Sequence, residues 1–320
     1  MPQYRSALPQ LGEGLFLADG GLETTLIFHD RIDLPDFNAF PLLADAAGAA
    51  LLRKYYRAYA EIAQRHRTGL VLESATWRAS ADWAARLSLG AEALAEANRQ
   101  SISMLEAIRD EFQNEATPIV ISGQIGPRGD GYVAENRMTA DEATAFHSAQ
   151  VNVFATTEAD MVCGMTMNYV EEAIGIARAA ARAQIPVAIS FTVETDGRLP
   201  TGQSLGEAIA EVDAVTAAYP SYYMVNCAHP SHFERVMADG GPIAKRLRGV
   251  RANASRMSHA ELNEAPDLDP GDPTELGADY VRLKRLAPRL NVLGGCCGTD
   301  ERHVEQIARA CRPLFARARV

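Results

Sequence analysis

The stretch Asn291-Val292-Leu293-Gly294-Gly295-Cys296-Cys297-Gly298-Thr299-Asp300-Glu301 contains the end of a strand, a rim turn and the start of a helix. Asn291–Gly294 is short and apolar without alternation, as strands buried on both faces are. Thr299-Asp300 before Glu301 is a capping signal, and Glu301–Phe315 carries apolar residues at helical spacing. The same strand-then-helix unit recurs back toward the amino terminus. Strands are predicted at Leu15–Ala18, Gly69–Glu73, Pro118–Ser122, Asp160–Gly164, Pro186–Phe191, Tyr222–Asn226, Gly249–Ala252 and Asn291–Gly294. Helices are predicted at Ala44–Arg65, Ala91–Phe112, Asp141–Thr157, Val170–Ala183, Leu205–Ala218, Ser231–Arg248, Thr274–Leu286 and Glu301–Phe315. This alternation predicts an α/β fold, a single (β/α)8 TIM barrel domain over residues 1–320; a doubly wound open sheet is the rival. Arg31–Pro41 and Asn263–Pro273 are rich in Pro and Asp and read as long loops at one barrel end.

Composition narrows the function. The 320 residues are 47% hydrophobic, enough for a large core and against disorder. A net charge of -10 repels phosphate backbones, so no nucleic-acid partner is expected. Met1–Leu11 has one Arg and no apolar core of a secretory signal, and no apolar run is long enough to span a bilayer. A cytoplasmic protein with no membrane partner is expected, and the outer helices leave the oligomeric state open. Five cysteines are too few and too scattered for a disulfide framework, and they fit a reducing compartment where thiolates stay free to bind metal or react. No Gly-x-Gly-x-x-Gly follows a strand and no Walker loop is present, which argues against a nucleotide cofactor.

Neighbouring strand residues face opposite ways, so Cys296 and Cys297 can share a metal only if the chain leaves strand geometry there. Gly294, Gly295 and Gly298 permit that departure. Cys227 follows Asn226 at the end of the sixth strand, and strands six and eight meet at the same rim. Three thiolates leave zinc one open position, the layout of a catalytic site. His229 as a fourth ligand would make the site structural instead, and buried apolar cysteines are the plain alternative. Cys163 and Cys311 read as core.

Active sites of such barrels lie at the carboxyl ends of the strands. Asp19-Gly20-Gly21, Ser74-Ala75-Thr76, Gly123-Gln124-Ile125-Gly126-Pro127, Thr192 and Asn253-Ala254-Ser255 fall there. Glycines at these points let backbone amides approach a ligand, or serve only as turn residues. Asp19 is a candidate for a substrate ammonium. Glu23 is a second candidate, or a first-turn helix carboxylate. Trp77 and Phe191 are aromatic candidates for facing a cation, or ordinary packing.

Taken together, these motifs resemble the homocysteine S-methyltransferase family, which includes betaine– and S-methylmethionine–homocysteine methyltransferases. The resemblance covers nearly the whole chain. Gly294-Gly295-Cys296-Cys297-Gly298 and Val225-Asn226-Cys227 carry most of it, and Asp19-Gly20-Gly21, Ile125-Gly126-Pro127, Ser190-Phe191-Thr192-Val193 and Asn253 agree. The resemblance implies a (β/α)8 barrel with zinc (Zn2+) on Cys227, Cys296 and Cys297. With the strand-end reading above, the expected substrate contacts are Asp19, Gly20, Gly21, Glu23, Thr76, Met165, Asn226 and Asn253. The expected partners are a small-molecule thiol acceptor and an onium methyl donor such as S-methylmethionine, S-adenosylmethionine or betaine, with homocysteine giving methionine. The related amino-terminal module of cobalamin-dependent methionine synthase uses the same barrel.

One position departs from the pattern. After the fourth strand the family carries a Glu-Thr pair whose Glu helps hold the homocysteine amino group, and here the pair is Met165-Thr166. Either Asp19 or Glu23 takes over the ammonium, or the acceptor is a different small thiol. A zinc hydrolase or lyase with water in the open position, and a non-catalytic zinc-binding barrel, are the remaining alternatives.

Overall fold

In the computed structural model, which describes residues 1–315 except 239 and 266, eight parallel strands pair in sequence order around a complete circle. They are β1 (Phe16–Ala18), β2 (Gly69–Glu73), β3 (Ile119–Ile125), β4 (Met161–Met167), β5 (Val187–Phe191), β6 (Tyr222–Asn226), β7 (Leu247–Ala252) and β8 (Val292–Gly295). Phe16 pairs with Gly69 on β2 and with Val292 on β8, and so closes the barrel. Crossover helices lie between the strands: α1 (Ala46–His66), α2 (Ala91–Phe112), α3 (Ala140–Ala155), α4 (Val170–Arg182), α5 (Leu205–Thr216), α6 (Pro230–Met237) and α7 (Pro273–Leu286). α8 (Glu301–Cys311) follows β8 and packs on α1. Capping boxes at Thr139, Ser204 and Asp300 start three of them by satisfying backbone amides that have no partner within the helix.

The two faces of each strand build two different interiors. Outward residues such as Leu17, Leu70, Leu72, Ile119 and Ile121 pack under the helices in the main core. Inward residues Phe16, Val71, Val120, Met161, Tyr222, Met224 and Val292 form an apolar plug inside the barrel, and Leu8 and Tyr4 cover it from below. Asn291 ties that amino-terminal segment down by donating to the carbonyls of Gln10, Gly12 and Gly14. Above the plug the inward positions turn polar, with Asp19, Glu73, Asn226 and Arg251 all buried. The strand period of two therefore puts the site chemistry over an apolar floor.

Several boundaries differ from the sequence reading. β3 continues to Ile125 and β4 to Met167, because their polar ends face the barrel interior rather than solvent. The helix expected over Ser231–Arg248 stops at Met237, and a short helix follows at Gly241–Arg246. Gly240, which caps that helix, and Gly241, its first residue, have positive φ of 71° and 57°, which a continuous helix cannot hold. β7 then starts at Leu247, two residues earlier than expected. Residue 239 of that expected helix, residue 266 of the Asn263–Pro273 loop and residues 316–320 of the expected domain lie outside the described residues. No helix among the described residues is long and apolar enough to cross a membrane.

Candidate metal centre and substrate cavity

Cys227 is the first residue past β6, in left-handed backbone at φ 54°, and its amide donates to the Arg251 carbonyl at 3.1 Å. The left-handed turn aims its side chain back over the barrel. At the end of β8 the Cys296 amide donates to Ala252 O at 2.8 Å, and Cys297 O accepts from the Ala254 amide at 3.1 Å. Gly298 then turns at φ 79°, so the chain leaves strand geometry across the cysteine pair. The packing is too close for a side chain at Gly21, whose added Cβ would lie 2.5 Å from the Cys296 carbonyl oxygen. The result is one group of three thiols with sulfur atoms all within 4.8 Å of one another.

Within that group the Cys227 and Cys296 sulfurs are in bonding contact, with Cα atoms 5.4 Å apart, and Cys297 Sγ lies 4.0 Å from Cys227 Sγ. Free thiols were expected throughout; the contact arises because the β6 and β8 ends converge on one point. Cys163 and Cys311 are free and buried in the core. His229 is not part of the group. Its Nδ1 accepts from the Ser231 amide at the start of α6, and its Nε2 faces Asp279 at 3.5 Å.

A cavity of about 400 Å³ opens over the three sulfurs. Asp19, Gly20, Gly21, Glu23, Met165 and Asn253 line it, as do Glu73, Trp77, Arg78, Tyr132, Arg251 and His259. Thr76 and Asn226 are not among its lining residues. The Thr76 hydroxyl donates to Gln124 O at 2.7 Å and braces β2 against β3. Asn226 sits behind the cysteines as a clamp. Its Oδ1 accepts from the Thr166 amide at 3.0 Å and the Ser190 hydroxyl at 2.6 Å. Its Nδ2 donates to Thr166 Oγ1 at 2.8 Å and lies 3.9 Å from Cys296 Sγ. Those bonds hold Thr166 in left-handed backbone at φ 64°, next to Met165. Trp77 reaches the cavity, whereas Phe191 is fully buried and stacks on Tyr223 in the outer core.

The cavity gathers several buried charges, one pair of them compensated and others not. Asp19 pairs with Arg251 at 2.6 Å and accepts from the Tyr55 hydroxyl at 3.1 Å. Burial raises the Asp19 carboxyl, and both partners oppose that rise. Arg251 also donates to the Gly20 and Gly295 carbonyls, tying the β1, β7 and β8 rims together. Glu23 stands in the first turn of the short helix Leu22–Thr24, as one of its sequence readings has it, and it also lines the cavity. Burial pushes Glu23 and Glu73 up to about 7. The Tyr132 hydroxyl lies 3.5 Å from Cys227 Sγ and 3.8 Å from Cys297 Sγ, and its ring packs on His259 at 4.3 Å. Burial pushes the Cys297 thiol up to about 11.

Glu73, Arg78, Tyr132, Arg251 and His259 were not foreseen as site residues. Glu73 and Arg251 could have been, since a charge inside a strand otherwise buried on both faces needs a reason. Tyr132 comes from a rim loop and His259 from the start of the short rim helix His259–Glu264, and neither carries such a signal.

Three sulfur donors with no carboxylate or imidazole in the group suit zinc, a borderline-soft ion, better than magnesium or calcium. The fold and site thus define a class: a (β/α)8 enzyme organised around thiol chemistry at the carboxyl ends of its strands. Residues 16–311 match the homocysteine S-methyltransferase family model, and the chain belongs to that family of enzymes. It is 25% identical over 318 residues to homocysteine S-methyltransferase 4 of Zea mays, a match covering 93% of this chain and 90% of the maize protein. It is 27% identical over 243 residues to betaine–homocysteine S-methyltransferase 1 of Rattus norvegicus, covering 65% of this chain and 55% of the rat protein. Crystal structures of the homocysteine methyltransferase MmuM from Escherichia coli superpose with a TM-score of 0.74 in both the oxidized form (18% identity) and the metallated form (17%). The match to the oxidized form covers 96% of this chain and 99% of that one, a likeness of fold.

Proposed function

We propose that this chain moves a methyl group from an onium donor to homocysteine, with zinc held by Cys227, Cys296 and Cys297. The observation that carries the reading is the convergence of three cysteine sulfurs, without other donor types, under a substrate-sized cavity in a barrel of this family. When bound, zinc would lower the pKa of an acceptor thiol, so that its proton is lost to solvent at neutral pH and its sulfur stays nucleophilic. The chain's own residues do the rest. Tyr132 donates toward the cysteine sulfurs and limits the negative charge they gather. Asn226 fixes the Cys296 side and the left-handed Thr166 together, so the acceptor meets one rigid wall. Asp19, Glu23 and Glu73 supply carboxylate for the acceptor's ammonium in place of the one absent at Met165. Trp77 lines the cavity with the Arg78 guanidinium on one face of its ring and offers the donor cation the other. In the transfer a carbon–sulfur bond forms as the onium–methyl bond breaks, and the donor leaves as a neutral molecule, so no general base is required.

Met165 favours a second reading, in which the acceptor is a small thiol lacking the ammonium. It is 2% exposed and belongs to the apolar plug beneath the cavity. Incubating the zinc-loaded protein with homocysteine and, in turn, S-methylmethionine, S-adenosylmethionine and betaine tests the first reading through methionine formation. Methylation of 3-mercaptopropionate with no methionine formed would select the second. No methylated thiol from any pair would contradict both.

A further inference from the structure

Arg78 is an arginine with almost no partners. It lies just past β2, is 9% exposed and lines the cavity above the cysteines. Its guanidinium lies between two indole rings, 4.3 Å from the Trp77 centroid and 3.7 Å from that of Trp83. Among the described residues its one hydrogen bond runs from Nη1 to the Gly129 carbonyl, and no carboxylate pairs with it. Nε is buried without a partner. Neither Nε nor Nη2 bonds to the described residues, so this cavity-lining guanidinium keeps donors in excess of its protein partners, and a carboxylate is the group that such donors bind best.

The acids that act on Arg78 through space are engaged elsewhere. Asp130 accepts from the Tyr132 and Val133 amides at 2.7 and 3.0 Å. Asp36 pairs with Arg86 at 2.8 Å. Burial raises Glu23 to about 7, so near neutral pH it carries only part of a charge. Burial lowers Arg78 itself to about 10, which shows how little the surroundings compensate its charge. A buried cation without a counter-ion is costly to keep, and two stacked tryptophans fix its plane rather than neutralise it.

We infer that Arg78 is the binding site for the carboxylate of a substrate, giving the cavity a cationic pole distinct from its carboxylates. The inference rests on the thiol methyltransferase reading, because it takes the ligand to be an acceptor or donor of that reaction. Either an amino-acid thiol or a carboxylated onium compound supplies the group. The site selects against thiols and onium ions that have none.

Calorimetric titration of the zinc-loaded protein with matched probes tests this. For the acceptor the probes are homocysteine and 3-aminopropane-1-thiol. For the donor they are S-methylmethionine against (3-aminopropyl)dimethylsulfonium, and glycine betaine against tetramethylammonium. Arg78→Gln should weaken the carboxylated member of one pair by about thirtyfold or more and leave its decarboxylated counterpart unchanged. The pair that responds identifies whose carboxylate binds. Arg78→Lys, which keeps the charge without the fork, should recover part of the loss and shows that a misfolded variant is not the cause. If Arg78→Gln weakens both members of a pair alike, or neither carboxylated probe, the inference is wrong while the methyltransferase reading stands. If the unaltered protein binds no thiol at all, that reading fails and the inference fails with it.

Discussion

Replacing Glu73 with Gln should stabilise the protein above neutral pH and change little at pH 5. Glu73 is 3% exposed at the end of β2, with Oε2 unpartnered, and burial raises its carboxyl from 4.5 to about 7. In the unfolded chain the group ionises near its ordinary value; in the folded chain it keeps its proton until about 7. The folded state therefore binds the extra proton between those values. Stability falls as pH rises through that window and is level above it. The rise is equivalent to about 3 kcal/mol above pH 8, and to less than about 1 kcal/mol at pH 5. Gln keeps the shape without the charge and removes the penalty. For 320 residues, an unfolding entropy of about 2 cal/mol/K per residue makes the gain roughly 4–5 °C in Tm. Scanning calorimetry of both proteins at pH 5 and 8.5 measures it. Equal Tm differences at the two pH values, or a loss at pH 8.5, would refute the assignment of an uncompensated buried carboxylate. The cost makes physical sense if the ionised group meets a substrate ammonium.

Three other substitutions probe the site from different sides. Tyr132→Phe removes a hydroxyl 3.5 Å from Cys227 Sγ and should lower methyl-transfer kcat/KM by about tenfold, with Tm nearly unchanged; steady-state kinetics beside a melt checks this. Asn226→Ala strands the Thr166 amide and the Ser190 hydroxyl inside the barrel and should cost about 2–4 kcal/mol in urea unfolding. Gly21→Ala would push a Cβ to within 2.5 Å of the Cys296 carbonyl oxygen, so metal bound per chain should fall while the far-ultraviolet circular dichroism stays the same.

The barrel was legible because strands covered by helices outside and a plug inside must be apolar on both faces, and Val187–Phe191 or Tyr222–Asn226 show this directly. The polar ends of β3 and β4 were harder to read. Gln124 and Thr166 look like loop residues until the barrel's polar upper interior is known. The cysteine cluster was readable from its flanking glycines. Asn226 and Thr76 resembled substrate contacts because strand-end polarity alone does not tell a residue that faces a ligand from one that satisfies its neighbours. Arg78 and Tyr132 depend on how rim loops fold over the sulfurs, and spacing along the chain does not encode that.

The central claim is that three cysteines hold zinc where an acceptor thiol binds. Zinc content by mass spectrometry, paired with homocysteine titration, tests it most directly on the wild type and on the Cys227→Ser, Cys296→Ser and Cys297→Ser variants under reducing conditions. The account predicts about one zinc per chain and zinc-dependent homocysteine binding in the wild type, with both lost in each variant. Zinc retained by the variants, or homocysteine bound equally well after chelation, would contradict it.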